Sequence, residues 1–150
     1  MISLFAGLLL GLTCQQDDFA YCTDTVIHHT LSYENPDEAL RLNVALGDVM
    51  TIELPEDTKL SAEPVVGNKA LIRFQSLDSK PKRLLVWPMV PDGAKHLPPD
   101  ALLGQRTNLI AHLQSGITLT IDLKLGFPGE SVQRLVLAFP ERKQERAFVN

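Results

Sequence analysis

Four histidines, two cysteines and scattered serines and carboxylates are the residues of this chain that could do chemistry. Their spacing decides what they can do together. His28 and His29 are adjacent, so on a strand they point to opposite faces and cannot chelate one ion together. His96 lies in a proline-rich loop and His112 on the polar face of a strand. Neither has an Asp, Glu or Cys at ligand spacing, so no metal centre is predicted. No serine sits in a Gly-x-Ser-x-Gly elbow, and neither G-x-G-x-x-G nor Gly-Lys-Ser/Thr occurs. The carboxylate pair Glu56-Asp57 falls in a turn, where nothing would raise a pKa toward general-acid duty. The reading is of a protein with no catalytic residue, no metal and no cofactor.

The cysteines carry a different chemistry. Ile2 to Leu12 is an apolar run of signal-peptide length, too short to span a bilayer, although no Lys or Arg precedes it. Residues 1–14 are read as a signal peptide or a lipoprotein signal, followed by an extended arm over 15–38. Gly11-Leu12-Thr13-Cys14 puts Cys14 where a lipoprotein signal places its lipid-modified cysteine. Cleavage before Cys14 would instead let it pair with Cys22 in an oxidising compartment, and cleavage after it would leave Cys22 alone. Each outcome predicts export to the periplasm. Outer-membrane association follows only in the lipidated case, so membrane contact comes only through the signal or lipid anchor.

What must position such residues is a set of short strands. Ile117, Leu119, Ile121, Leu123 and Leu125 alternate with Thr118, Thr120, Asp122 and Lys124, the period of a half-buried strand. Leu109, Ala111 and Leu113 form a preceding alternating face, and Gln114-Ser115-Gly116 supplies the turn of an antiparallel hairpin. Leu40, Leu42 and Val44 alternate with Arg41 and Asn43, and Met50, Ile52 and Leu54 with Thr51 and Glu53 until Pro55 ends the strand. A weaker strand is read between Lys59 and Val66. Ala70 to Gln75, Arg83 to Trp87 and Val132 to Phe139 complete the set. Met89 to Arg106 is the longest break, with one helical turn expected at Asp100 to Gly104. Glu141 to Asn150 is a charged tail.

The chain has 150 residues, enough for one core. Its 14 basic and 18 acidic side chains leave a net charge of −4 with no basic stripe, which argues against nucleic-acid binding. The pattern predicts an all-β, antiparallel β-sandwich over 39–140, immunoglobulin-like or related, of about seven to eight short strands. Burial preference places Trp87 between the sheets, and the alternative is a partner anchor. Exposed edge strands offer a route to assembly.

Three segments, in order, resemble a known family. Gly47-Asp48-Val49-Met50-Thr51-Ile52-Glu53-Leu54-Pro55 is similar to a strand of the TrbG/CagX-type subunit of type IV secretion (conjugal transfer) systems. Leu84-Leu85-Val86-Trp87-Pro88 is similar to that family's strand ending in proline. Thr107-Asn108-Leu109 is similar to its Thr-Asn-Leu hairpin motif. Ile117 departs from an aromatic residue there, and Val65-Val66-Gly67-Asn68 lacks the Trp that commonly follows. The resemblance implies a β-sandwich packed into an outer-membrane core complex with other envelope proteins and copies of itself. Gly47, Pro55, Trp87, Pro88, Thr107, Asn108 and Gly116 are then structural or interface residues. The expected function is that of a non-enzymatic structural subunit. The alternative is a monomeric periplasmic or outer-membrane-anchored module binding a protein or glycan through Met89 to Arg106.

Overall fold

The fold was analysed in a computed structural model, which describes residues 21–34 and 39–140. Among these residues nine strands run in order: β1 (Val26–Thr30), β2 (Ala39–Ala45), β3 (Met50–Glu53), β4 (Val65–Val66), β5 (Ile72–Leu77), β6 (Arg83–Pro88), β7 (Arg106–His112), β8 (Thr118–Gly126) and β9 (Arg134–Ala138). They form a five-stranded sheet, β1-β9-β3-β6-β5, and a four-stranded sheet, β2-β8-β7-β4. The inner faces meet in one core that includes Leu42, Ile52, Leu84, Leu109, Ile121, Leu123 and Leu135. Each of these is fully buried. Burying such a side chain contributes about 1.5–3 kcal/mol before entropy is counted, so alternation of apolar residues is what holds the sheets face to face.

The expected sandwich is the fold, and the expected hairpin is present. β7 and β8 pair antiparallel, with Thr107 opposite Leu123 and Leu109 opposite Ile121. Its turn closes through the Gly116 N–H to the Leu113 C=O at 3.0 Å, and Gly116 takes φ +90°. The left-handed region is costly for a residue with a Cβ, so glycine suits this position.

Three differences separate the fold from the sequence expectation. First, not all pairing is antiparallel: β1–β9, β3–β9 and β2–β8 are parallel. Alternation assigns a face to each residue and is blind to the direction of the neighbouring strand. Second, the sandwich begins before residue 39, because β1 lies within the segment read as an arm. Ile27 is buried under β1 and Leu31 donates its N–H to the Ala138 C=O at 2.8 Å. Two histidines and a flanking polar stretch hid that strand. Third, the Lys59–Val66 segment contributes only the two residues of β4 and a bridge from Leu60 to Leu113.

The long Met89–Arg106 connection folds into two 3-10 turns, Asp92–Ala94 and Pro99–Leu102. The second drops Leu102 into the core at 2% exposure. Gly104 then donates to the Leu125 C=O at 2.8 Å, and Leu125 to Gln105 at 2.9 Å, which starts the β7 ladder.

Candidate functional site

Thr107 and Asn108 sit at the start of β7, one strand from the edge of the four-stranded sheet, and the turn after β4 docks on them. The Thr107 Oγ1 accepts the Asn68 N–H at 2.8 Å, and the Asn108 C=O accepts the Gly67 N–H at 3.0 Å. The Asn68 Oδ1 accepts from the Ala70 N–H at 3.1 Å, which shapes the turn into β5. A Cβ on Gly67 would collide with the Asn108 Oδ1, so glycine there lets the Asn108 amide keep its place against the turn. The Thr-Asn pair thus fastens the link by which the chain crosses from one sheet to the other. Gly67 and Asn68 were visible in the sequence only as a turn, because the contact joins residues about forty positions apart.

Gly47 takes φ +86° in the turn between β2 and β3. Beside it Asp48 donates its N–H to the Ala45 C=O at 3.1 Å and accepts the hydroxyl of buried Ser131 at 2.8 Å on Oδ2. Pro55 is buried just past β3, and Pro88 is buried at the end of β6 opposite Ile72. Trp87 is not an inter-sheet residue. Leu84 and Val86 take the inner face at 0% exposure, and Trp87 shares the outer face with Arg83 and Leu85, half-buried and opposite Arg73. Strand parity overrides the burial preference of the residue type.

The same outer face carries a charge cluster that was not singled out from the sequence. Glu53 on β3 accepts from the Arg134 Nη2 of β9 at 2.9 Å and lies 3.6 Å from the Arg83 Nε of β6. The hydrogen bond from Arg134, with the charge of both guanidiniums, holds the Glu53 carboxyl below its ordinary value against the opposing effect of burial. The alternation of Glu53 with Ile52 and Leu54 marks its side of the strand, but its partners come from later strands.

Two clefts open at one end of the sandwich. The larger, about 650 Å³, lies between the Glu56–Leu60 and Asp78–Lys82 segments, where Lys59, Lys80 and Lys82 offset Glu56, Asp57 and Asp78. The smaller, about 360 Å³, is lined by Pro55, Leu137 and Phe139 among others. Phe139 also stacks on Tyr33 with ring centroids 5.9 Å apart. No residue of the Met89–Arg106 connection, which the alternative reading of the sequence offers as the binding loop of a monomeric module, is among those lining either cleft.

The histidines remain apart. His28, His96 and His112 are exposed, and the His112 Nδ1 lies 3.1 Å from the Thr118 Oγ1. Among the described residues no group of three His, Cys, Asp or Glu could hold a metal ion, and no helix is long and apolar enough to cross a membrane. Cys22 is buried and disulfide-bonded, and its backbone bridges to β2 through the Arg41 C=O and the Asn43 N–H, each at 2.9 Å. Cys14, the candidate lipidation site, lies outside the described residues. Tyr21 stands over the cations of Arg106 and Lys124 at 5.3 and 5.5 Å, a second contact that ties the chain before β1 to the β7–β8 hairpin.

No protein-family model matches the chain, and no curated protein matches it.

Proposed function

We propose that this protein is a non-enzymatic structural subunit of a cell-envelope secretion or conjugation complex, similar in kind to the N-terminal β-domain of the TrbG/CagX-type subunit. One observation carries the reading: the family-like segments serve the framework of the sandwich. Two of them, on β3 and β6, are hydrogen-bonded neighbours with Thr51 opposite Leu85 and Ile52 opposite Leu84. The third fastens the crossing between the sheets through Thr107 and Asn108. A disulfide at Cys22 supports an oxidising compartment such as the periplasm. Assembly then proceeds through the sandwich surface, with other envelope proteins and further copies as partners.

The test is isolation of the tagged chain from the solubilised envelope of its host. The expected result is a high-mass assembly containing envelope proteins of a secretion system. A strictly monomeric chain with no envelope partner overturns this reading and favours a binding module. The mixed-charge cleft between Glu56–Leu60 and Asp78–Lys82 is the feature that favours such a module. Mass spectrometry of the mature N-terminus decides between the disulfide and the anchor, which are exclusive in a chain with two cysteines: a peptide of Cys14 linked to Cys22 removes the anchor, and a diacylglyceryl adduct on Cys14 supports it and removes the intrachain disulfide.

A further inference from the structure

Sheet edges are where a sandwich can recruit another chain, because unpaired N–H and C=O groups remain there. In the four-stranded sheet those edges are short or met: β4 has two residues, and the outer side of β2 receives the backbone of Cys22. In the five-stranded sheet β5 forms an edge of six residues, IRFQSL, with no proline, no lysine and no bulge. The Met89 N–H donates to the Leu71 C=O at 2.7 Å, so Leu71 and Met89 are a hydrogen-bonded pair of the β5–β6 ladder. Antiparallel pairs alternate. Arg73, Gln75 and Leu77 therefore turn their backbone groups to β6, while those of Phe74 and Ser76 point to an edge that no strand among the described residues covers. Gln75 and Ser76 are exposed, so a neighbour can reach this stretch. The strands that begin and end the described fold, β1 and β9, lie at the opposite side of the sheet.

We infer that β5 pairs antiparallel with β5 of a second copy about a two-fold axis beside Gln75, joining two five-stranded sheets into one. The inference rests on the proposed role of the sandwich as an assembling unit and names the surface used. In this register Phe74 of each copy exchanges backbone hydrogen bonds with Ser76 of the other, which satisfies the groups left open on both edges. Gln75 lies opposite its own counterpart as a non-hydrogen-bonded pair, where two amide side chains can bond to each other. Arg73 lies opposite Leu77 of the other copy, so the register opposes no like charges. A register shifted by two residues and centred on Arg73 would set two guanidiniums face to face, and that repulsion selects against it. The contact is isologous and closes at two copies, leaving the other faces for further partners.

The experiment uses the purified chain at rising concentration, read by sedimentation velocity, with two sets of variants. Dimer is expected to grow with concentration. Ser76→Pro removes an outward N–H and no β6 hydrogen bond, and is expected to weaken dimerisation by roughly tenfold or more with its unfolding transition retained. Gln75→Cys is expected to form a covalent dimer on mild oxidation, because its two copies face each other, and Arg73→Cys is not. A mixture of Arg73→Cys and Leu77→Cys chains is expected to cross-link. A chain that stays monomeric with a Gln75→Cys variant that does not cross-link overturns the inference. So does covalent dimer from Arg73→Cys in preference to Gln75→Cys. Either failure leaves co-isolation with envelope proteins untouched, whereas loss of that co-isolation with the cross-link intact removes the proposed role and keeps the dimer.

Discussion

At the residue scale, Thr107 and Asn108 show how a polar pair on a strand becomes a fastening point. Thr107→Val keeps the shape and leaves the Asn68 N–H without its protein acceptor, so a loss of about 1 kcal/mol is expected in denaturant unfolding. Gly67→Ala forces the Asn108 amide to move, and Asn108→Ala should relieve that collision. The double variant is then expected to be more stable than the sum of the single losses allows, and strict additivity would show that the two residues do not meet. Glu53 makes a pH-dependent contribution. Its carboxyl is held below the ordinary 4.5 by the Arg134 hydrogen bond, so the folded form binds a proton less readily than the unfolded chain. The stabilisation is fully present above that ordinary value and is lost as pH falls through the lowered one. Glu53→Gln should therefore cost on the order of 1 kcal/mol at neutral pH and progressively less in acid, measured as unfolding free energy against pH. A difference independent of pH would sink the ion-pair account.

At the element scale, strand parity decides more than residue type. Leu84 faces the core and Trp87 the outer surface, so Leu84→Ala is expected to cost about 2–5 kcal/mol and Trp87→Ala clearly less. The reverse order in thermal unfolding would return Trp87 to the core. The hairpin turn makes a sharper test. Gly116→Ala meets a positive φ and should lose about 1 kcal/mol, while Gly93→Ala, in open space without that conformation, should lose little. The hairpin, β2, β3 and β6 were legible because their apolar residues alternate within one short run. β1 was not, since Ile27 is its one buried residue, among polar neighbours. The parallel pairings were invisible for a different reason: a residue's neighbours across a sheet come from distant sequence, and alternation says nothing of their direction. The same distance hid the Glu53 cluster and the Gly67–Asn68 docking, while Gly47, Pro55 and Gly116 announced themselves by local backbone demands.

At the scale of the whole molecule, one side of the five-stranded sheet joins the first and last of the described strands. β9 lies between β1 and β3 and is parallel to both, so it is the only strand paired with β1 among the described residues. Leu135 and Leu137 on β9 enter the core at 0% and 3% exposure. A chain ended after Gln133 is expected to show no cooperative unfolding transition, with rapid amide exchange through β1; a sharp transition in that chain would mean that β9 is dispensable. The position of β9 also sets a timetable. Among the described strands, eight leave the ribosome before the one that joins β1 to β3, so the sheet cannot close until Arg134–Ala138 has been made. On the proposed route of export the chain must stay unfolded on the way, and a sheet whose inner strand follows the other eight described strands delays its own closure without a separate device.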